Sequence, residues 1–194
     1  MKILVANRGE IAVRILRACR DLGMGSVAIY SEADRESLHV RYADEAVAIG
    51  PTPAAESYLN ISRLIDAAKI SGADAVHPGY GFLSENPHFA EAIEEAGLTF
   101  VGPRPETLAL TGDKLAARRA ARACDLPVLP GPDVPLGEEI SDRLMAEVEY
   151  PVLVKAASGG GGRGIRLAQT ADELEAMIQV ARTEAEAAFG DDTV

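Results

Sequence analysis

Positive charge is what this chain has least of. Nineteen Lys and Arg stand against 30 Asp and Glu, a net charge of −11 at pH 7. That balance argues against non-specific binding to nucleic acid or to an anionic membrane. It leaves nucleotide binding open, which needs only a local positive pocket. Cysteine is scarce as well. Cys19 and Cys124 lie far apart, outside any C-x-x-C or His/Cys cluster, so neither a disulfide nor a zinc site is indicated. Both fall in helical patterns and are expected as buried thiols. The first apolar run, Ile3-Leu4-Val5-Ala6, is too short for a signal-peptide core or a membrane span, and a cytoplasmic protein is expected. No Ser-His-Asp set, EF-hand or internal repeat is readable. With 47% apolar and 25% charged residues over 194 positions, the chain suits one large soluble domain, or one domain plus part of another.

What the chain does have is glycine, concentrated in one stretch, YPVLVKAASGGGGRGIRLA from Tyr150 to Ala168. Val152-Leu153-Val154 reads as a buried strand ended by Lys155. Five glycines follow within Gly159 to Gly164, broken only by Arg163, and Ile165 to Ala168 alternates like a second strand. Thr170-Ala171-Asp172-Glu173 then has the form of a capping box opening a helix. A P-loop runs from its glycines straight into a helix, as does a dinucleotide fingerprint. Here a strand comes next, so the glycines cap a hairpin. Their backbone N–H groups can form an anion nest, with Lys155 and Arg163 adding positive charge at its rim. A low-complexity linker is the bland alternative, and the tight flanking by strands argues against it.

Upstream, short strands alternate with helices. Strands are expected at 2–6, 27–30, 46–49, 73–77 and 98–101. Helices are expected at 11–22, around 36–42, at 60–70 and at 87–96. This rhythm predicts a parallel sheet with helices on both faces, whose ligands sit outside the carboxyl ends of the strands. ANRGEIA after the first strand has one glycine where a dinucleotide-binding turn needs three. A boundary is expected near Gly102-Pro103-Arg104-Pro105. Beyond it come a helix at 114–124, a Pro-rich link at 127–135, a helix at 138–148, the hairpin and a last helix at 171–188. Asp192-Thr193-Val194 reads as the beginning of a further strand.

Three more segments are candidates for chemistry. Asn7-Arg8-Gly9-Glu10 is in itself a strand-to-helix turn with Glu10 favourable near the helix N-terminus. His77 to Asn86, HPGYGFLSEN, leaves the fourth strand with Gly79 and Gly81 permitting close approach of a ligand. His77 alone reads best as a hydrogen-bonded core histidine, and Ser84 with Pro87 as a helix start. Thr111-Gly112-Asp113-Lys114 reads by itself as a helix N-terminus with Lys114 solvated. Lys155 is the better candidate on its own, since an ammonium at the end of a buried strand needs an anionic partner.

VKAASGGGGRGIR resembles the glycine-rich lid hairpin of ATP-grasp enzymes, specifically biotin carboxylases. Asn7 to Glu10, HPGYGFLSEN and Thr111 to Lys114 agree with that resemblance from one end of the chain to the other. It implies a Rossmann-like α/β domain over 1–110 and a partial ATP-grasp domain over 111–194. It also implies ATP-driven phosphorylation of bicarbonate and transfer of the carboxyl group to biotin on a carrier protein or domain. Lys114 and Lys155 become ATP contacts, with Gly160, Gly161, Gly162, Arg163 and Gly164 closing over the phosphates, and Tyr80 is placed near biotin. The family's magnesium ligands and catalytic Arg and Glu residues come later than residue 194. The chain is therefore expected to be the N-terminal portion of such an enzyme, inactive alone, with no catalytic or metal-binding residue of its own. A carboxyltransferase partner and a homodimer are further implications. The residues do not choose among acetyl-CoA, propionyl-CoA and pyruvate as final acceptor. Another ATP-grasp ligase, such as a carbamoyl-phosphate synthase, and a non-catalytic nucleotide-binding module remain alternatives.

Overall fold

A computed structural model describes residues 1–129, 131, 149–157, 165–190 and 192–194. The chain divides into two compact units, Met1–Ala109 and Leu110–Val194.

The first unit alternates β1 (Lys2–Val5), α1 (Gly9–Asp21), β2 (Gly25–Ser31), α2 (Leu38–Tyr42), β3 (Glu45–Gly50), α3 (Ile61–Ser71), β4 (Ala75–His77), α4 (Pro87–Glu95) and β5 (Thr99–Phe100). The strands form one sheet in the order β3-β2-β1-β4-β5, parallel throughout. Side chains on a strand alternate between faces, and β1 shows the consequence. Leu4 packs with Leu64 of α3 and Phe89 and Ile93 of α4. Ile3 and Val5 pack on the other side with Ala12, Ile15, Leu16 and Cys19 of α1. With both faces covered, the central strands read as continuous apolar runs, as parallel sheets do.

The helix starts refine the sequence reading. The first helix begins at Gly9, two residues before the expected start. The fourth is capped by Asn86, whose side chain accepts from the Phe89 N–H, with Pro87 in the first turn. Ser84 is not the cap. A helix that the sequence reading missed, α5, spans Pro105–Gly112. It starts at the last residue of the expected boundary, Pro105, which the first turn of a helix tolerates because its N–H has no intrahelical partner there.

The second unit contains α6 (Lys114–Ala123), β6 (Val152–Lys155), β7 (Ile165–Ala168) and α7 (Ala171–Phe189). The two strands pair antiparallel, from Val152 with Ala168 to Lys155 with Ile165, so the glycine segment does join the arms of a hairpin. Val154 and Ala168 pack against Leu174, Ile178 and Ala181 of α7. The expectation that β6 is buried along its length is corrected: Val154 is buried, but Leu153 is 56% exposed and Lys155 is exposed. Two strands with a helix on one face bury only alternate residues.

Cys124 is corrected too. It caps the C-terminus of α6 and is exposed, and Cys19 alone is buried. Residues 192–194 form no strand, although the Ala157 N–H donates to the Thr193 carbonyl at 2.8 Å. The expected helix at 138–148 and most of the Pro-rich link lie outside the described residues. Among the described residues no helix is long and apolar enough to cross a membrane.

Candidate functional site

In the sheet order β3-β2-β1-β4-β5, the chain winds outward in opposite directions from β1 and β4. The crevice at the carboxyl ends of these two strands is the topological switch point, where open parallel sheets bind ligands. The two segments leaving it are Asn7 to Glu10 and Pro78 to Asn86. Asn7 ties them together. It is 3% exposed, and its Nδ2 donates to the carbonyls of Pro78 at 2.7 Å and Tyr80 at 2.8 Å. Its Oδ1 accepts from the Arg8 N–H at 2.9 Å. Gly79 has φ +68°, and a Cβ there would lie 2.9 Å from Asn7 Nδ2. Both the backbone conformation and the close approach therefore require glycine.

Beside this clamp Arg8 makes a two-pronged contact with Asp34. Nε and Nη2 donate to the two carboxylate oxygens, each at 2.6 Å. Asp34 also accepts from the Tyr58 hydroxyl at 2.7 Å and the Ser37 hydroxyl at 3.1 Å. The Arg8 guanidinium, above all, holds the Asp34 carboxyl well below the usual carboxylate range, and the Tyr58 and Ser37 bonds add to this. Burial pushes the Tyr58 phenol up to about 12, and its ring stacks on Phe82 with centroids 5.1 Å apart. His77 Nδ1 accepts from the Gly79 N–H at 3.1 Å, and burial lowers its pKa. It is a neutral turn-forming acceptor in a half-buried position.

An open cleft of about 300 Å³ lies between Asn7, Arg8, Glu10 and Ile11 on one side and Tyr80, Gly81 and Phe82 on the other. Tyr80 is 59% exposed and its hydroxyl donates to the Glu10 carboxylate, which raises the phenol pKa. Asp34 neutralises the guanidinium, and two aromatic rings and Ile11 supply much of the wall. With the Glu10 carboxylate on the same wall, the cleft is a poor place for an anion.

The second unit carries the lysines. Asp113 caps α6, accepting from the N–H groups of Leu115 at 2.8 Å and Ala116 at 2.9 Å. This fixes Lys114 at the first helical position. Its N–H and its Nζ each reach the Ala157 carbonyl at 3.4 Å, just past the end of β6. Burial, and then the charge of Lys155, push the Lys114 ammonium below its ordinary value, while Asp113 opposes them. Two cations thus converge where the hairpin opens, an arrangement that favours a polyanion between them. Gly160, Gly161, Gly162, Arg163 and Gly164 lie outside the described residues.

The sequence reading missed the surface beside the lysines. Leu153 and Leu167 pair directly across β6 and β7 and are 56% and 45% exposed. They lie on the face opposite α7, with Lys155 and Ile165 next along it. The alternation of VLVK, placing Leu153 and Lys155 on one face, carried that signal. Among the described residues no group of three His, Cys, Asp or Glu is placed to hold a metal.

A family model described as biotin carboxylase, N-terminal domain, matches residues 1–108. One described as carbamoyl-phosphate synthase L chain, ATP binding domain, matches residues 113–194. The biotin carboxylase of Pseudomonas aeruginosa is 54% identical over 100% of this chain and 43% of its own length. A solved biotin carboxylase–β-γ-ATP complex from Campylobacter jejuni has a TM-score of 0.94 at 46% identity, over 99% of this chain and 43% of that one. The biotin carboxylase domain dimer of Hydrogenobacter thermophilus 2-oxoglutarate carboxylase, in complex with MgADP, ADP and bicarbonate, has a TM-score of 0.92 at 47% identity, over 99% of this chain and 42% of that one. The chain spans less than half the length of each of these relatives.

Proposed function

Since the chain belongs to the biotin carboxylase family, we propose that it is the N-terminal part of an ATP-dependent ligase that phosphorylates bicarbonate and carboxylates biotin on a carrier protein or domain. The observation that carries this reading in the fold is the convergence of Lys114 and Lys155 at the mouth of the glycine hairpin. Residues 1–110 are assigned to the N-terminal domain and 111–194 to the beginning of the ATP-grasp domain, a division that the two compact units support.

Phosphoryl transfer asks a protein mainly for positioning and charge neutralisation. Lys114 and Lys155 are assigned as donors of charge-assisted hydrogen bonds to the phosphates. Gly160, Gly161, Gly162 and Gly164 supply backbone N–H groups, Arg163 adds charge at the rim, and the hairpin closes to exclude water from a labile carboxyphosphate. The exposed Leu153–Leu167 pair offers an apolar platform for the rest of the nucleotide. Magnesium, when bound, neutralises phosphate charge. Its carboxylate ligands are assigned beyond residue 194, and the cationic donors here fit phosphate oxygens rather than a cation. Tyr80 is assigned to the biotin end, in keeping with the aromatic wall that it and Phe82 give the cleft. A carboxyltransferase partner, a homodimer and a cytoplasmic location belong to the same proposal. The family assignment of residues 1–108 disfavours a carbamoyl-phosphate synthase.

The test is bicarbonate-dependent ATP cleavage and carboxylation of free biotin, measured on the full-length protein and on residues 1–194 alone. Activity in the full-length protein and none in the piece is expected. Turnover by the piece overturns the assignment of essential groups beyond residue 194, and full-length activity that ignores biotin overturns the reaction.

A further inference from the structure

Tyr80 raises a physical problem. It is 59% exposed and sits between two glycines, so neither burial nor a stiff backbone fixes its ring. A wall residue free to sample its rotamers would lose that freedom on each binding event, at a cost in affinity. Two residues following β1 hold it instead, one at each end: Asn7 in the loop and Glu10 in the first turn of α1. Asn7 Nδ2 donates to the Tyr80 carbonyl at 2.8 Å and to the Pro78 carbonyl at 2.7 Å. The Glu10 carboxylate accepts from the Tyr80 hydroxyl.

We propose that Asn7 and Glu10 are positioning residues that fix Tyr80 across the switch-point cleft for binding of biotin, an inference that rests on the assignment of Tyr80 to the biotin end. The chemistry at each position is specific. Position 7 must donate twice from one atom and accept with the other, which an asparagine amide does. Aspartate, nearly the same shape, would set an oxygen against two carbonyls. Position 10 needs only an acceptor at the reach of a glutamate, so glutamine serves there and alanine does not. The β1–α1 junction thus acts on the ligand through Tyr80.

The experiment is steady-state kinetics of the full-length carboxylase with free biotin, reading KM for biotin, KM for ATP and kcat, alongside thermal unfolding. Glu10→Ala and Tyr80→Phe each remove the same bond. Each is expected to raise KM for biotin roughly 3- to 10-fold with KM for ATP unchanged. Because they break one interaction, the double variant is expected to be no worse than either single one. Glu10→Gln is expected to recover most of the loss seen in Glu10→Ala. Asn7→Asp is expected to raise KM for biotin about tenfold or more. Should Asn7→Asp fail to fold, the Glu10/Tyr80 cycle decides alone. Additive effects of Glu10→Ala and Tyr80→Phe overturn the inference, as does a parallel rise in both KM values with lost stability. If Tyr80→Ala raises KM for biotin while Glu10→Ala does not, only this inference falls. If Tyr80→Ala leaves KM for biotin unchanged, the assignment of Tyr80 falls with it.

Discussion

The cleft of the first unit and the lysine pair of the second are held in opposite ways. In the cleft the polar groups are bonded inside the protein: Arg8 is locked on Asp34, and the Glu10 carboxylate accepts from the Tyr80 hydroxyl. In the second unit like charges are brought together. Lys114 is pushed below its ordinary pKa by burial and by Lys155, and the leucine pair beside it stays exposed. A self-satisfied cleft is preformed and selects by shape. A surface where two lysines neighbour each other beside an exposed apolar pair leaves room for a ligand to add contacts and to offset their repulsion. Under the proposed function the first region would shape the biotin end and the second would grip the phosphates.

The sharpest way to break that comparison is to unbalance the first unit. Asp34→Ala leaves the Arg8 guanidinium and the Tyr58 hydroxyl without their acceptor. Removing one partner of a buried ion pair costs 3–5 kcal/mol. Arg8 is half exposed and water recovers part of the loss, so about 3 kcal/mol is expected. The pH dependence has a definite sign. The Asp34 carboxyl is held below its unfolded value, so its stabilisation is complete above about pH 4 and is lost as pH falls below that. Denaturant unfolding from pH 7 to pH 3 should show the parent losing this stability and Asp34→Ala losing less. Equal acid sensitivity in both would remove Asp34 as the keystone.

The second unit should answer the same kind of truncation differently. Lys155→Ala and Lys114→Ala each delete a charge-assisted bond to ATP. By the proposed assignment ATP binding weakens by roughly 10- to 150-fold, about 1.5–3 kcal/mol. Without nucleotide Lys114→Ala should change stability little, since the long Nζ bond to the Ala157 carbonyl is lost while repulsion from Lys155 and a burial penalty are relieved. Lys155→Arg should restore ATP binding only in part, because a planar fork does not replace a compact ammonium. Calorimetry beside thermal unfolding separates the two quantities. A Lys155→Ala protein that folds normally and binds ATP as tightly as the parent would make Lys155 a structural strand end.

How much of this was legible in the sequence depended on the range of the interaction concerned. The alternation of strands and helices and the hairpin around the glycines are local patterns, and the structure has those strands and the hairpin where the spacing placed them. The spacing read Lys114 as solvated, whereas the structure half-buries it against the Ala157 carbonyl. The role of Asn7 was not legible. It depends on carbonyls of Pro78 and Tyr80, which parallel pairing of β1 with β4 brings beside it. Asp34 was invisible for the same reason, as its partners Arg8 and Tyr58 come from either side of it in the chain. The buried reading of β6 failed because three apolar residues in a row do not say whether a sheet is covered on one face or two. Cys124 failed at an end, where helical spacing continues past the point at which packing stops.

The smallest effect tests that local reading at its most persuasive point. Thr170-Ala171-Asp172-Glu173 has the letters of a capping box, in which the threonine hydroxyl accepts from the Glu173 N–H and the glutamate accepts from the Thr170 N–H. The structure uses the letters differently. Thr170 has the extended conformation of a cap, φ −139° and ψ 166°, but its side chain makes no capping bond. The Glu173 N–H donates to the Thr170 carbonyl at 3.3 Å, and the Glu173 carboxylate accepts from the Gln169 N–H at 2.8 Å, one residue earlier. In the first unit Asn86 does accept from the N–H three residues on, at 3.0 Å. Asn86→Ala should therefore cost about 1 kcal/mol, whereas Thr170→Ala should stay within about 0.5 kcal/mol of the parent. Denaturation midpoints of the two variants measure the contrast. A Thr170→Ala loss as large as that of Asn86→Ala would show that the threonine hydroxyl does cap the helix in solution, and that the motif was right where the side-chain geometry is not.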